Sequence, residues 1–377
     1  MPPKKHSNLG PSSAHRWLLC TPSVMREADL PDETSVNAEE GTLAHALVEV
    51  KLNRIIAGKR RGMATAAQKK DPLYNKAMED HTDSYCDTVE ELLATARRAC
   101  PDAMLASEMS VSYERWVPGG HGTTDTVIIA DGECYVIDFK YGRHVVEALD
   151  NPQLRLYALG VYEAFSALYT FKNLHLYIIQ PRADGITSED LTVDALLRWA
   201  EDYVKPRAEM ALKGAGEAVP GEKQCRYCKA RFQCPERMRY ATELMQYEFK
   251  EPKLLTDAQL ADIYPKAERL TNWVNDVKDF MTRRAISGYE YPGMKLVRGR
   301  SIRKIVDETK AEALLEEEYG TSIYRLKSLT DLEDIVGKKQ LAERLGDLIV
   351  KPEGKLTLVM ADDKRQAVSV AETMFND

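Results

Sequence analysis

Two aspartates, Asp125 and Asp138, stand symmetrically about the dipeptide Asp131-Gly132, and Lys140 follows the second aspartate by two residues. Asp-Gly between apolar runs predicts a type I′ hairpin turn, which needs positive φ at both central residues. With that turn Ala130 faces Glu133, and each outward step keeps the pairing until Asp125 faces Asp138. Side chains directly opposed on a sheet have Cβ atoms about 5 Å apart, and like charges there repel. A divalent cation between the carboxylates would offset the repulsion. On this reading either aspartate changed to Ala leaves folding intact or slightly improved. Strand alternation puts Lys140 on the same face as Asp138 and turns Ile137 and Phe139 toward the core. Mg²⁺ or Mn²⁺ held there would bind a phosphodiester and acidify the attacking water, while the lysine places that water or neutralises developing charge. The competing reading is a surface hairpin with solvated charges.

Cysteines form the second constellation. Cys225, Cys228 and Cys234 crowd together with Pro235 behind them, and Cys20 stands alone near the start. Three thiols at such spacing need a fourth donor. Zinc would take four thiolates or three and a histidine, for which His15 is the rival to Cys20. A 4Fe–4S cluster would take four thiolates, and a proline after the last is compatible with it. Spacing leaves both open. Cys86, Cys100 and Cys134 lack partners at ligand spacing and read as buried small hydrophobes.

Around these residues the chain of 377 residues reads as α/β or α+β, a mixed sheet flanked by helices. Helices are predicted over 39–57, with Leu43, Leu47, Val50 and Ile55 approximating one apolar face, and over 79–99. Strands follow at 104–113, 123–130 and 133–140, then a helix over 152–165, a strand at 174–180 and a helix over 196–212. Asn151-Pro152 supplies a cap oxygen followed by proline at the first helical position. Gln153 and Tyr157 then share one helix face. Beyond about 247 the texture becomes charged and amphipathic, with helices over 255–286 and 310–319 and a basic segment at 295–304 that could meet phosphates. A domain of residues 1–247 followed by a mainly helical C-terminal region, 248–377, is the expected division.

Hydrophobic content of 44% and charged content of 29% are ordinary for a globular chain. The formal net charge of −7 argues against a protein coated in nucleic acid, though local basic patches remain compatible with it. No apolar run follows Lys4-Lys5, and no stretch approaches the length of a membrane span. A cytoplasmic protein with reduced or metal-bound cysteines and no membrane partner is expected.

In order and type these residues resemble the RecB-like branch of the PD-(D/E)xK nucleases. Glu40-Gly41-Thr42-Leu43-Ala44-His45 is similar to its early helical motif, Gly122-Thr123-Thr124-Asp125 to Gly-x-x-Asp, Asp138-Phe139-Lys140 to Asp/Glu-x-Lys, and Gln153-Leu154-Arg155-Leu156-Tyr157 to Gln-x-x-x-Tyr. The proline of the superfamily name is absent before Asp125, as in many members. The resemblance spans roughly 12–240. It implies a restriction-endonuclease-like fold and a metal-dependent deoxyribonuclease acting as an exonuclease or end-trimming enzyme on DNA. It further implies that His45, Asp125 and Asp138 hold Mg²⁺ or Mn²⁺, that Lys140, Gln153 and Tyr157 complete the active site, and that Cys20, Cys225, Cys228 and Cys234 hold a 4Fe–4S cluster as in nucleases of the AddB type. The whole chain looks like a family of phage-encoded proteins found near replication genes, implying partners in phage replication or recombination. A second class of reading is a catalytically silent DNA-binding or scaffold protein on the same fold.

Overall fold

The computed structural model describes residues 7–31, 36–183, 185–243, 257–295, 327–345 and 348–349. The helix expected over 310–319 and all but the first residue of the basic segment 295–304 lie outside the described residues.

The fold is mixed α/β. Five strands form one sheet in sequential order: β1 (Met104–Ser112), β2 (His121–Ala130), β3 (Gly132–Phe139), β4 (Phe171–Gln180) and β5 (Gly185–Thr192). All neighbours are antiparallel except β3 and β4, which run parallel because helix α5 (Pro152–Phe165) carries the chain across between them. Alternation along the strands sends side chains into two cores. Val127, Ile129, Cys134 and Val136 meet α5 and the first elements of the chain, whereas Ile128, Tyr135, Ile137 and Phe139 meet two long helices.

Those helices are α1 (Val36–Ile56) and α2 (Lys76–Ala99). The first buries Ala44, Leu47, Val48, Lys51 and Leu52, a face rotated from the expected one, with Val50 only partly covered. The rotation follows from Lys51, a charged residue that is 1% exposed and breaks the apolar periodicity. Its ammonium meets Glu79 Oε2 at 2.9 Å and Asp83 Oδ1 at 2.8 Å and donates to Thr82 Oγ1 at 2.8 Å. Glu79 accepts from Ala64 N–H at 2.7 Å and from the Tyr74 hydroxyl at 3.0 Å. The buried charges of this knot are matched, Glu79 Oε2 by the ammonium as an ion pair without a hydrogen bond.

The turn at Asp131-Gly132 is not type I′, since of its two residues Gly132 alone takes positive φ, 89°. The expected register nevertheless holds, from Ala130 opposite Glu133 to Thr126 opposite Ile137. Strand β4 explains the difference. Gly132 N–H donates to Thr170 O at 2.8 Å and Asp131 Oδ1 accepts from Thr170 N–H at 3.0 Å, so the turn is shaped by the chain entering β4.

Candidate metal centre and cysteine quartet

The centre is built where β3 ends between β2 and α5. Ser107 pairs with Thr126 and Met109 with Thr124, placing Glu108 across from Asp125. The β2–β3 register likewise carries Asp125 toward Asp138. Three carboxylates therefore stand on three neighbouring strands at one level. Pairing of β2 with β3 stops there, whereas β1 and β2 skip this one pair and continue. Asp125 Oδ2 instead accepts the Phe139 N–H at 2.7 Å, and Glu108 adopts φ of 50°, a left-handed conformation that costs a non-glycine residue about 1 kcal/mol or more. From the opposite layer α1 brings His45, whose ring meets Phe139 edge-on at 5.2 Å between centroids. His45 Nδ1 lies 3.4 Å from Asp125 Oδ1. His45, Glu108 and Asp125 each offer a ligand atom, and these atoms lie within 4.8 Å of one another.

Asp138 sits beside this trio and is not part of it. It is 2% exposed. Its Oδ2 lies 2.9 Å from Lys140 Nζ, and its Oδ1 accepts from Gln153 Nε2 at 3.1 Å. Gln153 Oε1 accepts from Lys140 Nζ at 3.0 Å and Gln153 Nε2 donates to the Tyr157 hydroxyl at 3.3 Å. Asn151 caps α5 as its sequence suggests, accepting from the N–H groups of Gln153 and Leu154. Burial, with Asp125 nearby, pushes the Asp138 carboxyl up to about 6 despite the Lys140 charge. Burial works to lower His45 and Lys140, but Asp125 beside the one and Asp138 beside the other hold both above their ordinary values. Burial and then the Asp138 charge raise Tyr157, keeping its hydroxyl protonated.

All six expected residues thus converge, and Glu108 joins them. Sequence reasoning missed Glu108 because no tight turn links β1 to β2 and the β1 register was not readable. A lone carboxylate in the middle of a predicted strand was the available signal.

The four cysteines are also brought together. Cys20, Cys225, Cys228 and Cys234 line one small cavity with Arg16, Arg26 and Arg231, and His15 is not in its wall. The short helix Ala14–Trp17 and the turn after it present Cys20, the helix Glu222–Arg226 carries Cys225, and Cys228 and Cys234 stand at the starts of the short helices Lys229–Phe232 and Pro235–Ala241. Burial, then the Glu27 charge, pushes the Cys228 thiol up to about 12. Of the remaining cysteines, Cys86 and Cys134 are buried, and burial pushes each thiol up to about 12. Cys100 corrects the expectation: it is half-buried and its thiol donates to Asp102 Oδ1 at 3.0 Å.

Among the described residues no helix is long and apolar enough to cross a membrane. A solved structure titled "Crystal structure of SSO0001" is similar over 59% of this chain and 95% of its own, at 17% identity and a TM-score of 0.25. A family model described as a protein of unknown function, DUF2800, matches residues 6–366, and the chain belongs to that family.

Proposed function

We propose that the protein is a divalent-metal-dependent deoxyribonuclease of the RecB-like PD-(D/E)xK type, trimming DNA ends in phage recombination or replication. The observation that carries this reading is the convergence of His45, Glu108 and Asp125 beside the linked set Asp138, Lys140, Gln153 and Tyr157. One imidazole and two carboxylates are a donor set suited to Mg²⁺ or Mn²⁺. When bound, such an ion supplies Lewis-acid polarisation of a phosphate and an acidified water.

The side chains supply the rest. His45, Glu108 and Asp125 would hold the ion, and Asp138, bordering them, would serve as an acceptor for a water proton. Lys140, fixed between Asp138 and Gln153, presents an ammonium to charge developing on the phosphate. Gln153 keeps that ammonium aimed, and Tyr157, protonated, orders Gln153. The cysteine quartet is read as the holder of a 4Fe–4S cluster. Such a cluster takes four thiolates, the donors that Cys20, Cys225, Cys228 and Cys234 supply around one cavity, and Pro235 after the last is compatible with it.

Cleavage of 5′- and 3′-labelled single and double strands with Mn²⁺ or Mg²⁺ tests the activity, beside Asp138→Ala. Metal-dependent cutting lost in the variant supports the reading. Equal cutting by both proteins assigns the activity to a contaminant or another site, and DNA binding without cutting by the wild type supports the silent DNA-binding protein.

A further inference from the structure

The short helix Ser23–Glu27 begins three residues after Cys20 and reaches the other cysteines with two consecutive side chains. Arg26 Nη1 donates to Cys234 Sγ at 3.2 Å and meets Glu236 Oε2 at 2.7 Å. Glu27 is 8% exposed and accepts from the N–H of Lys229, the residue after Cys228. Glu27 also pairs with Arg16 Nε at 2.8 Å, and Arg16 Nη1 donates to the carbonyl of Tyr227, the residue before Cys228, at 3.1 Å. The same Arg16 accepts the Cys20 N–H at its carbonyl, 2.8 Å away. The segments that carry Cys20, Cys228 and Cys234 are therefore tied together by charged side chains of the protein itself.

Within that frame Arg26 is placed for more than stability. Its pair with Glu236 is partly exposed, at 34% and 25% of the two side chains, and such pairs add little to folding. What Arg26 changes is the field at a sulfur. A thiolate ligand that accepts an N–H from a cation loses some of its negative charge, and hydrogen bonds to the sulfurs together with local charge set the potential of an iron–sulfur centre.

We propose that Arg26 is a positioning residue of the cysteine quartet, holding Cys234 in place and balancing thiolate charge, so that it governs both retention and reduction potential of the bound cluster. This rests on the reading of the quartet as a 4Fe–4S site. Positive charge beside the cluster favours the reduced form, which carries one more electron, and negative charge disfavours it. Arg26 and Glu236 therefore act in opposite directions.

The experiment uses the full chain purified without oxygen, as wild type, Arg26→Gln, Arg26→Lys and Glu236→Gln. Iron content, loss of visible absorbance to a chelator, and midpoint potential in a mediated dithionite titration are measured. Arg26→Gln is expected to lower the potential and speed iron loss about tenfold, the lower end of the usual cost of removing an outer partner of a metal ligand. Arg26→Lys should restore part of both, and Glu236→Gln should raise the potential. Should Arg26→Gln fail to fold, the upward shift in Glu236→Gln remains the test. Unchanged potentials in both variants overturn the role of Arg26 while leaving the cluster in place. A wild type holding zinc and no iron overturns the cluster reading and the proposal together.

Discussion

Asp125 Oδ1 points toward His45 while its Oδ2 accepts the Phe139 N–H, so one carboxylate serves the candidate metal centre and also closes the end of the hairpin. Simple relief of repulsion between Asp125 and Asp138 therefore does not describe the cost of removing it. Asp125→Ala should lose metal binding and about 1–2 kcal/mol of stability, because a buried N–H is left without its acceptor. Asp125→Asn keeps an oxygen for that N–H and should lose metal affinity while unfolding in urea near the wild-type midpoint. Lys140→Arg replaces a compact ammonium with a planar fork, and the narrow space between Asp138 and Gln153 does not suit it. Both Lys140→Arg and Lys140→Ala should lose most cleavage with Mn²⁺ affinity kept, as separate titrations of metal and activity would show. Wild-type cutting by Lys140→Ala would make the lysine structural. At this scale the aspartate pair was legible because the symmetry about Asp131-Gly132 fixes their register whatever the turn type. Glu108 was not, because its place depends on a strand joined by a long connection.

Helix α1 and helix α2 are locked by the Lys51–Glu79 knot, and its charges carry a pH dependence. Burial alone would raise the Glu79 carboxyl, but the Lys51 ammonium and the Ala64 N–H bring it below its ordinary 4.5. A carboxyl lowered by folding stabilises the fold above its unfolded value, and that stabilisation is lost as pH falls through the folded value. Glu79→Gln should cost about 3 kcal/mol at neutral pH, since it weakens the pairing of a buried ammonium. The gap between variant and wild type should close below about pH 4.5, read by thermal unfolding across pH. A gap that stays constant to pH 3 would detach it from this ionisation. The same knot explains why the α1 face was misread: a buried lysine looks polar in sequence, and only its partners on α2 reveal it. Strand β5 escaped sequence reading for a related reason. As an edge strand it leaves Ile186, Ser188 and Asp190 exposed, so its alternation carries little apolar signal. The helix expected over 196–212 is present from Val193 to Leu212 with a π turn at Ala200–Val204, placed just before Pro206, which has no N–H to continue the ladder.

Across the whole molecule the first elements of the chain pack against late ones. Leu9, Trp17 and Leu18 share a core with Val204, Ala208 and Ala211. Thr21 Oγ1 donates to Ala215 O at 2.6 Å, and Arg207 Nη1 donates to Leu18 O at 2.7 Å. The helix Asp257–Ile286 then leans on the cysteine segment through stacked Phe232 and Phe280, 5.1 Å between centroids, and through Asp276 at 2.5 Å from Arg237. Cys20→Ser should remove cluster iron and lower the unfolding temperature much as Cys228→Ser does, whereas Cys86→Ala should leave iron unaltered; iron assay beside calorimetry decides it. Full iron in Cys20→Ser would place the fourth ligand elsewhere. Sequence spacing showed that the ends must meet if the cysteines share a ligand, but the hydrogen bonds and apolar contacts that bring them together are between residues with no motif.

The packing of Leu9 and Trp17 against Val204 and Ala211 also sets a timetable for synthesis. Their partners leave the ribosome roughly two hundred residues later, which at about 5–20 residues per second is a wait of roughly ten to forty seconds. During that interval the sheet strands and α5 cover part of these side chains, while the surface that Val204, Ala208 and Ala211 complete stays open. The core that holds Trp17 and the cysteine quartet are consequently completed together, late in synthesis, whereas the core under the two long helices can close by Ile179.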